Sequence, residues 1–248
     1  MSTARRVALV TGAGRGLGAE ICRALANDGW AVAVNDLTEP AAASVAAAIR
    51  ADGGTAEAFG ADVTDEVAVT DMVARITDTL GVVTALVANA SGPQPPILVE
   101  DLLWADVLRH LEFFAKSPLL LTQAVLPSMK AAGTGRIVHI GSDLFERGDA
   151  GWSGYMAGKG AMLGLTRGWA RELGIHGITV NLVAPGWIPV ERHGALSPDV
   201  ESEWRAQQGV QRMGVPADVA AAVAFLASDR AGFITGERLA VNGGHHLG

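Results

Sequence analysis

At 248 residues, 49% hydrophobic and 18% charged, the chain can bury a sizeable core and is not a disordered segment. Its formal charge of −7 and the lack of a basic stripe give no reason to expect nucleic-acid binding. The first six residues are too short and polar for a signal peptide, no apolar stretch reaches the length of a membrane span, and the single cysteine, Cys22, cannot form an internal disulfide, all of which suits a cytoplasmic protein without membrane contact.

Short β-rich runs alternate with longer helical patterns. Residues 6–11 predict a first strand and 17–28 a helix, in which Cys22 reads as a small buried hydrophobe. Strand 31–35, helix 41–51, a candidate strand at 55–60 and helix 66–80 follow, then strand 82–88, helix 102–130, strand 136–140, helix 155–173 and strand 178–183. Residues 238–241 add a candidate last strand. This alternation predicts an α/β fold, with a parallel sheet covered by helices on both faces. The segment 186–214 breaks the alternation and carries Pro, His and Trp, which makes it the candidate substrate lid within one domain spanning 1–248.

The first strand runs into Thr11-Gly12-Ala13-Gly14-Arg15-Gly16-Leu17-Gly18. Glycines here let the backbone turn sharply and approach a pyrophosphate, while the helix that follows presents its N-terminal amides. Asp36, at the end of the second strand, suits the ribose hydroxyls of an adenosine, and its charge opposes a 2′-phosphate. NAD(H) is therefore favoured; Arg15, a guanidinium able to meet that phosphate, leaves NADP(H) open. Asp62 and Val63, after the third strand, are candidates to flank the adenine, and Asp62 equally suits a turn cap. Further on, Tyr155, the only tyrosine, stands four residues before Lys159, so the two share a helix face. An ammonium beside a phenol favours the phenolate, which an acid/base tyrosine needs near neutrality. Ser142 lies upstream, at the end of an apolar run. The adjacent His245 and His246 read as a terminal tail, and no metal is assigned.

Assembled, these residues resemble the short-chain dehydrogenase/reductase family over nearly the whole chain. The resemblance rests on Thr11-Gly12-x-x-x-Gly16-x-Gly18, Asp62, Asn89-Ala90, Ser142, Tyr155-x-x-x-Lys159, Asn181, Pro185-Gly186 and Val241-Asn242-Gly243-Gly244. It implies a Rossmann-type doubly wound sheet of about seven strands, a homodimer or homotetramer, and hydride transfer between a nicotinamide and a carbonyl or alcohol. It further implies Tyr155 as general acid/base, Lys159 as the group that tunes it and bonds the nicotinamide ribose, and Ser142 as a hydrogen-bond partner of the substrate oxygen. The implied cofactor contacts are Gly12, Arg15, Gly16, Leu17, Gly18, Asp36, Asp62, Val63, Asn89, Ala90, Tyr155, Lys159, Pro185, Gly186 and Ile188. The substrate pocket is expected to involve Ser91, Leu144, Trp152, Trp187 and His193, with apolar walls for a small to medium ketone or secondary alcohol. A 3-oxoacyl thioester reductase is one member of that class.

Three positions depart from the family pattern. Phe114 stands where the family often has a catalytic asparagine; Glu112 and Lys116 are nearby polar candidates for a substitute, and read more readily as solvated helix positions or subunit contacts. Ser91 replaces a glycine after Asn89-Ala90, and Val190 replaces a threonine that bonds the nicotinamide carboxamide. Phe114 and Val190 motivate an alternative: a dinucleotide-binding or regulatory homologue that has lost efficient catalysis.

Overall fold

The computed structural model describes residues 6–191, 194 and 197–247. Seven parallel strands form one sheet in the order β3-β2-β1-β4-β5-β6-β7. They are β1 (Val7–Val10), β2 (Ala31–Asp36), β3 (Thr55–Gly60), β4 (Val83–Ala88), β5 (Gly135–Ile140), β6 (Ile178–Pro185) and β7 (Arg238–Val241). Residues on alternate sides of each strand enter two separate cores. Ala8, Val10, Val32 and Val34 pack against α1 (Gly16–Asn27), α2 (Glu39–Ala51) and a late helix, α9 (Pro216–Ala227). Val7, Leu9, Leu86 and Ile137 pack against α3 (Glu66–Thr79), α5 (Ser117–Ala132) and α7 (Ser153–Leu173). Both faces are thus covered, as a fully parallel sheet requires.

Successive strands step outward from β1 in one direction through β3 and then return to the other side with β4. At that reversal the chains leaving β1 and β4 turn to opposite faces of the sheet, and the crevice between them is where a doubly wound sheet binds ligands.

The expected helix 102–130 is broken. It begins as α4 (Trp104–Leu111), widens into a π-helical turn at Glu112–Lys116 and continues as α5. Pro118 explains the break: it has no amide to give the carbonyl of Phe114, and its ring crowds that carbonyl, so the turn opens. Between β5 and α7 lies a single turn, α6 (Leu144–Arg147). The sequence reading has no counterpart for α9 or for α8 (Pro198–Ala206), which lies inside the 186–214 insertion. Yet α9 carries a clear signal: Pro216 in its first turn, then buried Val219, Ala220, Val223, Ala224, Leu226 and Ala227.

Asp65 caps α3 by accepting the amide of Ala68 at 2.8 Å. Replacing Asp65 with Ala is expected to cost about 1 kcal/mol and to lower the melting temperature by roughly 2–4 °C. Thermal unfolding followed by circular dichroism checks this; an unchanged midpoint would count against the cap.

Candidate active site

The glycine turn is shaped by two left-handed residues, Gly12 at φ 59° and Gly16 at φ 56°. A Cβ on Gly12 would lie 2.7 Å from the Ala90 Cα, and one on Gly18 would lie 2.5 Å from the Gly12 carbonyl oxygen, so neither position has room for a side chain. Asn89 clasps the turn to β4. Its Nδ2 donates to the carbonyls of Thr11 (2.8 Å) and Gly12 (2.9 Å), while the Thr11 hydroxyl accepts the amides of Asn89 and Ala90 at 3.1 Å. The first turn of α1 has no side-chain cap and no acidic residue, so its amides and dipole are free to meet an anion.

Asp36 accepts the Gly14 amide with one carboxylate oxygen and the Leu37 amide with the other, each at 2.8 Å. Asp62 caps its own turn through the amide (2.8 Å) and hydroxyl (2.7 Å) of Thr64. It also lines the same cleft as Asp36.

On the other side of the crevice, α7 carries Tyr155 and Lys159 toward the end of β5. Lys159 is buried, and its Nζ donates to the Ile140 carbonyl at 2.6 Å. The face of Phe114 lies 3.7 Å from that ammonium, a close cation–π contact. The Tyr155 ring is clamped edge-on by Phe114 (5.3 Å between centroids), Trp152 (5.6 Å) and His110 (5.8 Å). Burial lowers the pKa of His110, helped by Arg109. It also pushes His139 down to about 3, helped by Lys159, so a second cation next to the lysine is disfavoured. The Ser142 hydroxyl accepts the Leu144 amide at 3.1 Å. Lys116 is exposed and Glu112 half-buried, and neither lines the cleft.

One cleft of about 820 Å³ joins these groups. The glycine turn, Arg15, Leu17, Asp36, Asp62, Val63, Asn89, Ala90, Ser91, Ser142, Leu144, Trp152, Tyr155, Lys159, Pro185, Gly186, Trp187 and Ile188 all line it. His193 lies outside the described residues. A Cβ built on Gly16 would lie 3.4 Å from Glu191 Oε2 and 3.5 Å from Val190, so residues 190–191 sit over the turn.

The packing of the cleft's far wall is not legible in the sequence. Trp204 of α8 meets Trp187 edge-on at 5.1 Å, stacks on His245 at 4.4 Å and carries the Arg147 guanidinium 4.8 Å above its ring. His245, expected as tail, is instead packed with its side chain 9% exposed and its Nδ1 4.0 Å from Asp143. Asp143 is almost fully buried, and its Oδ2 has no hydrogen-bond partner. Only tertiary packing, not spacing, brings these residues together. Among the described residues, no group of three or more His, Cys, Asp or Glu side chains could hold a metal ion.

Burial raises the Asp143 pKa, against the opposing pull of Arg147, His245, Asn242 and Arg238. The folded chain therefore holds this proton to higher pH than the unfolded chain does, and Asp143 costs stability as pH rises from the ordinary carboxylate range through its native value. Asp143→Asn is expected to raise the melting temperature at pH 8 and leave it nearly unchanged at pH 4. Equal shifts at both pH values would contradict a buried, raised carboxyl.

Comparison with known proteins agrees with this geometry. A family profile described as Enoyl-(Acyl carrier protein) reductase matches residues 12–246. Cis-4-hydroxycyclohexanecarboxylate dehydrogenase of Sinomonas cyclohexanicum is 40% identical over 242 residues, covering 98% of this chain and 97% of that one. The 3-oxoacyl-[acyl-carrier-protein] reductase FabG of Vibrio cholerae serotype O1 is 37% identical over 249 residues, covering all of both chains. A gluconate 5-dehydrogenase from Burkholderia cenocepacia J2315, solved in complex with NADP and tartrate, superposes with a TM-score of 0.90 at 31% identity, covering 97% of this chain and 94% of that one.

Proposed function

The chain belongs to the short-chain dehydrogenase/reductase family, and from that premise we propose how its cleft serves as an NAD(P)(H)-dependent oxidoreductase that interconverts a ketone and a secondary alcohol. The observation that carries this reading is the meeting, in one cleft, of the glycine turn with Ser142, Tyr155 and Lys159. The residues present fit a dinucleotide. Gly12 and Gly18 let the turn close tightly beside β4, the uncapped start of α1 favours the charge of a diphosphate, and Asp36 stands where a ribose would be bonded. Leu17, Asp62, Val63, Asn89 and Ala90 would hold the adenosine half, and Pro185, Gly186 and Ile188 the nicotinamide half. When bound, the nicotinamide supplies or accepts the hydride.

Tyr155 gives its phenolic proton to the carbonyl oxygen during reduction and takes it back during oxidation. Lys159 favours the phenolate by its charge, and Ser142 holds the substrate oxygen close to Tyr155. Leu144, Trp152, Trp187 and Ser91 would border the substrate, with 186–214 as lid and residues 1–248 as one catalytic domain. The named activities of the relatives, a ring-borne secondary alcohol in one case and a 3-oxoacyl group in the other, mark the substrate range that we infer. We also assign a homodimer or homotetramer and a cytoplasmic setting. The exposed Leu103, Trp104, Leu108 and Leu119 around α4 and α5 support the first. Among the described residues, no helix is long and apolar enough to cross a membrane.

For the cofactor we propose a preference for NAD(H). Its support is the Asp36 carboxylate, fixed by two amides at the end of β2, where its charge repels a 2′-phosphate. Arg15 is exposed, and no side-chain hydrogen bond aims it at that position. Nicotinamide fluorescence titrations are expected to show tighter binding of NADH than NADPH, with Asp36→Ala narrowing the difference. Tighter NADPH binding would assign the phosphate to Arg15.

A second reading is favoured by Phe114, whose ring covers Lys159 where the family often has an asparagine. It is a dinucleotide-binding or regulatory protein with slow catalysis. Tyr155→Phe separates the two. The enzyme reading expects a loss of roughly 10²–10⁴-fold in kcat with NADH binding retained. The second expects no loss of function.

A further inference from the structure

The cleft carries more positive charge than hydride and proton transfer require. Among the described residues, three cations line it: Arg15, Lys159 and Arg147. Arg15 lies at the glycine turn, and Lys159 is bonded to the Ile140 carbonyl and covered by Phe114. Arg147 lies on the segment that follows Ser142, at the substrate end. It closes α6, which starts two residues after Ser142, so Leu144 and Arg147 are separated by one turn, about 5 Å of helix axis.

The guanidinium is held but poorly satisfied. Trp204 supports its face at 4.8 Å. Nη2 pairs with Asp149 at 2.6 Å, while Nε and Nη1 are buried without a hydrogen-bond partner. The Arg147 side chain is 15% exposed and that of Asp149 44% exposed, so this ion pair joins a shielded cation to a solvated anion and is easily exchanged. Asp143 is a second acid that interacts with Arg147, and burial raises its pKa. A buried, partly unpaired guanidinium is costly, and a planar carboxylate matches its donor fork.

We infer that Arg147 recognises the substrate, and that the cleft takes a hydroxy or oxo acid whose carboxylate replaces Asp149 on the guanidinium a few carbons from the reacting centre. Apolar walls from Leu144, Trp152 and Trp187 fit the hydrocarbon between the two groups. This rests on the ketone/alcohol reading above and narrows it to one substrate class.

The test compares reduction of 4-oxocyclohexanecarboxylate with that of its methyl ester, at saturating reduced cofactor and pH 7.5. Wild-type protein is expected to favour the acid by roughly 10–100-fold in kcat/KM, chiefly through KM, the size of one charge-assisted contact. Arg147→Gln should remove that preference and leave the ester within about two-fold, and Arg147→Lys should restore part of it. Equal kcat/KM for acid and ester in the wild type, or an equal loss on both in Arg147→Gln, would overturn the inference while leaving the oxidoreductase reading intact. If neither ketone turns over, binding of cyclohexanecarboxylate and of its methyl ester, read by tryptophan fluorescence quenching, decides separately. Tighter binding of the acid that depends on Arg147 supports the inference, and equal binding sinks it.

Discussion

A lysine kept almost wholly out of water has to be held in place by its surroundings. Lys159 is 6% exposed, and its ammonium is stabilised by the Ile140 carbonyl at the end of β5 and by the face of Phe114. Both contacts depend on larger features of the fold. The carbonyl is available because β5 ends there, beside the crevice, and the ring reaches the ammonium from the π-helical turn between α4 and α5. With the lysine fixed, Tyr155 one turn earlier on α7 is fixed too, and its ring is wedged among Phe114, Trp152 and His110.

The nucleotide end is built on a different economy of contacts. Its turn is shaped by positions that lack a side chain. Glycines with no room for a Cβ let β1 turn beside β4, and Asn89 ties the two strand ends together through main-chain carbonyls. The result is a concave surface of backbone amides with one fixed carboxylate, Asp36, at its edge. Such a surface recognises phosphate by position and sugar by hydrogen bonding.

Much of this was legible in the sequence because it is local. Glycine turn, strand-end acid and the Tyr155–Lys159 pair each depend on residues within a few positions of one another. The alternation of strands and helices follows from burial on both sheet faces and placed all seven strands within two residues at either end. The parts that escaped notice depend on contacts across long stretches of chain. The stack of Arg147, Trp204 and His245 joins three segments with no shared motif. Helix α9 is hard to read for another reason: every residue from Val219 to Ala227 is apolar, so its sequence lacks the polar stripe that marks a surface helix. The π-helical turn was signalled by Pro118, but a proline near the middle of a long apolar pattern also suits a simple kink.

The chain contains one tyrosine, and its ring stands in the cleft beside three other aromatic rings. Any phenolate absorbance in the folded protein therefore belongs to that single group. Three of the six tryptophans, Trp152, Trp187 and Trp204, border the same space. The molecule thus carries an unlabelled optical reporter at its centre, in which ultraviolet difference spectra isolate the ionisation of one side chain and indole emission reports what lies next to it.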